Sequence, residues 1–400
     1  MRRLLDLLFW SVIAAAFIGP GTVTTAARAG SDFGFALAWA LLFSTVACLV
    51  LQEAAARITV VTGRELGEAI GERFRAAARG RAVPAVLAGG VVLGCAAYEA
   101  GNLLGGVAGL RLVVDAPAAL LTALCGAAGA ALLATGSTRW IARSLGALVA
   151  VMGLAFLVTA VRLGPDLGRL LEGLAVPRIP DGSTMLVLGL VGTTVVPYNL
   201  FLGSALARGN RLGEMRWGLA LAVGGGGLIS LGVLVVGSAL GGGLDYPRLA
   251  AVLADRLGPG AELSLAVGLF AAGFTSAITA PLAAAITVRT LIGAGRPEWA
   301  EGGRRFRAVW LGVLLIGVVF GMTGVQPIPA IIAAQAFNGI LLPFVAAFLW
   351  LTMNDRALLG DGVNGRWQNL VTGIVVAVCV LLGLRGLLAA ARSTLAVLGG

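Results

Sequence analysis

The chain has 400 residues, of which 58% are hydrophobic and 12% charged, with a formal net charge of +10. A soluble domain carries about 25% charged residues, so this composition excludes a soluble enzyme or binding module and points to a polytopic protein of the lipid bilayer. The positive balance is all arginine, set between apolar segments with no aromatic-laced stripe, which excludes a nucleic-acid surface. Histidine is absent, which excludes an imidazole metal ligand, general base or proton relay.

A window of about 19 residues predicts eleven spans, at 8–28, 34–60, 83–110, 116–135, 140–161, 184–207, 216–240, 261–292, 307–325, 328–352 and 367–388. Several exceed the roughly 20 residues that cross a bilayer, so tilt or extension beyond it is expected. The chain opens on Arg2-Arg3 with no small-residue cleavage site, and the first span reads as an uncleaved helix. That span is interrupted at Phe17-Ile18-Gly19-Pro20-Gly21-Thr22, and the sixth at Val195-Val196-Pro197-Tyr198-Asn199-Leu200. A proline inside an apolar helix removes a donor and clashes with the preceding turn. Lipid cannot satisfy the freed carbonyls, so each break must face protein or a water-filled cavity. The four cysteines (Cys48, Cys95, Cys125, Cys379) fall inside apolar segments without pairing or metal spacing and read as packing residues.

Arginine placement sets an orientation. With the N-terminus inside, twenty of the 29 arginines fall on the cytoplasmic side, among them Arg57, Arg64, Arg73, Arg208, Arg216 and Arg289. Eight fall outside, among them Arg111, Arg162, Arg248 and Arg256, and Arg28 lies within the first span. This bias predicts a cytoplasmic N-terminus, an external C-terminus and a multi-pass protein of the cell membrane, the inner membrane in a bacterium. Spans one to five (8–161) and six to ten (184–352) then form two units of odd helix number, so the second enters the membrane inverted. Span 367–388 follows, and all belong to one transporter domain over 1–400. The expected fold is an all-α integral membrane protein of eleven transmembrane helices, a LeuT-like 5+5 inverted repeat with helices 1 and 6 broken. Matched breaks in two such halves point to the binding site of a secondary transporter; the plainer alternative is that both prolines only kink packing helices.

Several segments carry a resemblance. Phe17 to Phe35 follows one first-helix pattern without a gap. Leu51-Gln52, Ala55-Ala56-Arg57, Val61-Thr62-Gly63 and Leu66 match the end of a second helix. Pro197, Asn199-Leu200 and Ser204-Ala205-Leu206 match a sixth helix, Ala271-Ala272-Gly273 with Ser276, Ile278 and Thr279 an eighth, and Gln335 with Leu342-Pro343-Phe344 a tenth. Together they resemble the NRAMP (natural resistance-associated macrophage protein) family of divalent-metal transporters. The resemblance implies alternating access and divalent-cation uptake coupled to protons.

It also marks departures at the implied ligand positions. Gly19 stands where the family motif Asp-Pro-Gly-Asn has its aspartate, Thr22 where it has its asparagine, and Val196 where the sixth helix supplies a methionine sulfur. The backbone-carbonyl ligand falls near Thr193, and the two histidines of that helix correspond to Tyr198 and Gly203. The candidate substrate-binding residues are therefore Gly19, Gly21, Thr22, Thr193, Val196, Tyr198, Asn199 and Gln335, with Thr24, Thr25 and Thr194 as further hydroxyls and no metal-ligand set assigned. Soft transition metals prefer thioether and imidazole, and an uncompensated divalent cation at the bilayer midplane is prohibitive. Altered selectivity without tight manganese or iron binding is expected. Glu99, where the family keeps a glutamate of its proton pathway, is the coupling candidate, and the aspartate one turn before it is replaced by Ala96.

Two other readings stay open. The Gly19-Pro20-Gly21 break and the half-helix after it, whose N-terminus is a positive dipole end, also suit the carboxylate of a small organic or zwitterionic solute, with Arg28 two turns on. A transport-inactive binding or sensor relative is the third. No nucleophile–base pair or metal cluster suggests an enzyme, no cofactor is implied, and the partners expected are a small solute or cation and the bilayer, around a monomer.

Overall fold

The computed structural model describes residues 18–75, 82–135 and 139–398, whose regular structure is helical throughout. The helices of the first part are α1 (Pro20–Phe33), α2 (Ala38–Thr62), α3 (Leu66–Arg75), α4 (Ala82–Leu110), α5 (Ala118–Thr135), α6 (Arg139–Leu163) and α7 (Leu167–Ala175). The second part contains α8 (Thr184–Thr194), α9 (Pro197–Leu206), α10 (Leu212–Ser238), α11 (Tyr246–Leu257), α12 (Gly260–Val288), α13 (Arg304–Gly321), α14 (Pro327–Met353), α15 (Arg356–Leu359) and α16 (Arg366–Leu398). A π turn, Arg289–Gly293, extends α12.

Among the described residues, nine segments are long and apolar enough to cross a membrane, with α8 and α9 counted together as Thr184–Leu206. Two of the eleven expected spans fall outside that set for different reasons. The first begins before residue 18, outside the described residues. The ninth, α13, starts at Arg304 rather than 307 and carries Arg304, Arg305 and Arg307 in its first turn, which lowers its apolar content. At the other end of the first span, α1 continues to Phe33, past the expected limit of 28.

The residue before a proline is driven to extended backbone by the proline ring. Gly19 has φ −90° and ψ 175°, and α1 starts at Pro20. Val196 has φ −75° and ψ 124°, and α9 starts at Pro197. Proline is well placed in a first turn, because its missing N–H would find no helical acceptor there. Between Thr194 and Pro197 only Val195 and Val196 leave the helix.

Close packing brings other helices up to these starts. At the α4–α12 crossing a β-carbon on Gly273 would lie 2.6 Å from the Gly106 Cα and 2.7 Å from the Asn102 carbonyl oxygen. At the α8–α14 crossing one on Gly339 would lie 2.5 Å from the Leu188 carbonyl oxygen. Small residues at such crossings supply the van der Waals contact that holds helices together in lipid.

The α4–α12 crossing is asymmetric, since a β-carbon on Gly106 meets nothing nearer than the Gly273 Cα at 3.4 Å. Gly273→Ala is therefore expected to destabilise the protein by about 1–3 kcal/mol, the cost of overpacking, and Gly106→Ala to be near neutral. Thermal unfolding of the two purified variants, followed by tryptophan fluorescence, checks this; equal midpoints contradict the packing described.

Candidate functional site

The two helix starts lie side by side. Thr22 in the first turn of α1 and Thr193 in the last turn of α8 bring their hydroxyl oxygens to 3.0 Å, and both are buried. Gly19 accepts from the Thr22 and Val23 amides, and Val196 accepts from the Asn199 amide, so each pre-proline carbonyl opens the helix that follows it. Both helices, of 14 and 10 residues, start here with the partial positive charge of a helix N-terminus.

Three further helices close on this point. Tyr98 of α4 and Ser276 of α12 place their hydroxyl oxygens 3.4 Å from where a Gly19 β-carbon would stand. The rings of Tyr98 and Tyr198 meet edge to face, with centroids 5.5 Å apart and planes at 79°, a favoured aromatic geometry. Gln335 of α14 is fully buried and lies across Gly21, so that any β-carbon on Gly21 would collide with its amide.

The polar atoms here are under-used. Gln335 and Asn199 find no hydrogen-bond partner for either amide atom among the described residues, and the hydroxyls of Thr25 and Ser276 find none. An unsatisfied buried polar group costs about 1–3 kcal/mol, so such a collection marks a place that a solute or solvent can fill. All these groups are neutral. Among the described residues no group of three or more His, Cys, Asp or Glu is placed to hold a metal ion.

Of the residues singled out in the sequence, contacts join Gly19, Gly21, Thr22, Thr193, Tyr198 and Gln335 in one neighbourhood. Val196 and Asn199 flank Pro197; Val196 is buried and apolar and supplies no side-chain donor. Thr24 back-bonds to the Pro20 carbonyl, and Thr194 to that of Leu190. Arg28 is tied to Asp32 at 2.5 Å, one turn along α1, and is not directed at the break. The Gly203 position is filled from outside: a β-carbon there would meet the side-chain oxygen of Gln52. Glu99 is fully buried but packs against Gly317 of α13, since adjacent helical residues point about 100° apart and its neighbour Tyr98 faces the break. Neither Glu99 oxygen makes a hydrogen bond among the described residues.

Tyr98 and Tyr246 were not singled out in the sequence. The available signal was rarity: the chain has three tyrosines against 15 phenylalanines. All three are buried near the break, with Tyr246 reaching Thr24.

A bundle of apolar helices long enough to cross a membrane, with two proline-led helix starts side by side at its centre, places the chain among multi-pass membrane transporters. The chain belongs to the natural resistance-associated macrophage protein-like family, whose model matches residues 11–389. It is 29% identical over 394 residues to the divalent metal cation transporter MntH of Verminephrobacter eiseniae, covering 92% of this chain and 84% of that one. A point-variant manganese transporter from Eremococcus coleocola superposes with a TM-score of 0.73 at 20% identity, covering 96% of this chain and 86% of that one. MhsT, a LeuT-like transporter solved with L-phenylalanine, superposes with a TM-score of 0.59 at 18% identity, covering 95% and 98%. These likenesses establish a LeuT-like all-helical fold.

Gly21→Ala is expected to destabilise the protein through its collision with Gln335, by about 1–3 kcal/mol, and Gln335→Ala in the same chain to recover most of that loss. Non-additive thermal midpoints across the four members of this cycle check it. Additive midpoints would mean that the two residues do not touch.

Proposed function

We propose that the chain is an alternating-access secondary transporter whose solute lies where α1 and α9 begin. In this reading it has eleven spans, helices 1 and 6 are broken, and units 8–161 and 184–352 are inverted repeats followed by 367–388. The N-terminus is cytoplasmic and the C-terminus lies outside the cell membrane. The adjoining restarts at Pro20 and Pro197 and the Thr22–Thr193 pair support this site.

The substrate class suggested by the family is a divalent cation, with selectivity shifted away from manganese and iron. The observation that carries the shift is the neutral donor set: hydroxyls and amides surround the break, while Glu99 packs against α13. A desolvated divalent ion without opposite charge is strongly disfavoured. The same donors favour a second reading, a small net-neutral organic or zwitterionic solute. The unpaired amides of Gln335 and Asn199 support it, as do two helix N-termini suited to a carboxylate. A relative that binds without transporting would show thermal stabilisation by a solute and no uptake in proteoliposomes.

Isothermal titration is expected to show no micromolar manganese binding. A β-carbon at Gly19 meets only ordinary contacts, at 3.4 Å, so a side chain can start there without a clash. The triple variant Gly19→Asp, Thr22→Asn, Val196→Met is therefore expected to gain manganese binding. Micromolar binding by the unaltered protein, lost in Asn199→Ala, would overturn the argument from missing ligands.

Glu99 is the one acidic side chain buried inside α4, and proton coupling, where present, is assigned to it. Solute-dependent proton flux into proteoliposomes, read with an internal pH dye, should vanish in Glu99→Gln. An unchanged flux would make Glu99 structural and the carrier a uniporter or one coupled to another ion.

A further inference from the structure

A cavity of about 430 Å³ opens between the C-terminal end of α4, the start of α5, α11 and the segment entering α14. Arg111, Thr122, Gln326 and Tyr246 are among its lining residues. Tyr246 is the first residue of α11, on the connection between α10 and α12, yet only 6% of it is exposed. Its phenol reaches α1, where its oxygen lies 2.6 Å from the Thr24 hydroxyl. Thr24 in turn lies 2.6 Å from the Pro20 carbonyl oxygen. A hydroxyl has one proton. With the Thr24 proton committed to Pro20, the bond from Tyr246 must be donated by the phenol. Burial pushes the Tyr246 phenol up to about 12, against a smaller opposite effect of the Thr24 hydrogen bond, so the donor proton is kept throughout the physiological range.

Tyr246 thus stands with the cavity on one side and the first turn of α1 on the other. The connection that carries it is held together by glycine turns and one arginine. Gly241, Gly242 and Gly243 have φ values of 66°, 117° and 68°, which side chains of L-residues rarely adopt. The Arg248 guanidinium gathers the carbonyls of Leu240, Gly242 and Gly243. Asp32, at the far end of α1, accepts from the Gly243 amide at 3.2 Å. The contacts between this connection and α1 are therefore few and polar, the kind that can be exchanged for water when a gate opens.

We infer that Tyr246 is the gate between this cavity and the helix break, closed by its hydrogen bond to Thr24. The inference rests on the reading of the break as a solute site, and it adds the route by which a solute reaches that site. A single ring and one neutral hydrogen bond are enough to block passage and weak enough to be released in each cycle. The gate governs access and leaves the donors at the break untouched.

The test measures access and needs no substrate. Thr22→Cys is made in the full-length chain, and its reaction with a membrane-impermeant methanethiosulfonate is followed by peptide mass spectrometry in vesicles of each orientation. Asp255→Cys, whose side chain on α11 is 72% exposed, identifies the membrane face that carries the gate. Tyr246→Phe and Thr24→Val should each raise the labelling rate at position 22 about tenfold from that face and leave the rate from the opposite face unchanged. Tyr246→Ala should raise it further. Unchanged rates in Tyr246→Phe and Thr24→Val overturn the inference, and so does an equal rise from both faces, which would report general loosening. Both of those variants keep the local volume, so the inference stays testable if Tyr246→Ala fails to fold. Faster labelling together with no uptake of any solute would leave the gate standing and remove the transport reading instead.

Discussion

A peptide chain in lipid has nowhere to put an unpaired backbone group, and a proline creates one wherever it interrupts a helix. Pro20 and Pro197 meet that constraint in the same way. Each forces extended backbone on the residue before it, and a helix starts at each. The rest of the arrangement follows from giving these two restarts a protein-lined place to face. Gly106 with Gly273 brings α4 and α12 together, and Gly339 brings α14 onto α8. The shortened distances put Tyr98, Ser276 and Gln335 at the restart of α1. The architecture is thus a property of backbone chemistry and small residues, independent of any ligand side chain.

Charge is distributed by the same logic of solvation. Among the described residues the buried charged side chains are Arg57, Glu65 and Glu99. Arg57 is held by Glu53 at 3.3 Å and by the Asn364 side-chain oxygen at 2.5 Å. Glu65 takes Arg289 at 3.1 Å and Arg208 at 3.4 Å, tying the start of α3 to the ends of α12 and α9. These two are anchored near helix ends, where arginine stems reach the interface. Glu99 alone among them has no salt-bridge partner, and it sits in the middle of a span. A group so placed is costly for stability, which is the physical ground for giving it a task.

How much was legible in the sequence depended on whether the cause was local. The helix starts at Pro20 and Pro197 could be read directly, because the proline ring acts on its immediate neighbour. Helix ends were less legible: α1 runs to Phe33 through Ser31 and Asp32, polar residues that a hydropathy window counts against a span. The side of α4 on which Glu99 lies could not be read, since the α4 pattern is apolar all round and only packing against Gly317 decides it. Tyr246 escaped because it sits outside the apolar spans, in a connection that looks like solvent-exposed loop until its phenol is traced to Thr24. The role of Gln52 escaped for a different reason: its meeting with Gly203 joins residues about 150 positions apart in the chain.

The glycines Gly19 and Gly21 at the start of α1 and Gly203 in α9 differ in what surrounds them. Gly21 is overlaid by Gln335, and Gly203 is filled by Gln52, so neither can accept a side chain without displacing a neighbour. At Gly19 a β-carbon would meet two hydroxyls at ordinary contact distance and collide with nothing. A change of the second base turns two of the four glycine codons into aspartate codons and the other two into glutamate codons. One point mutation therefore introduces a carboxylate at this position. In the proposed transporter, the charge offered to a solute is thus one base change away from negative, while the helices that frame it stay as they are.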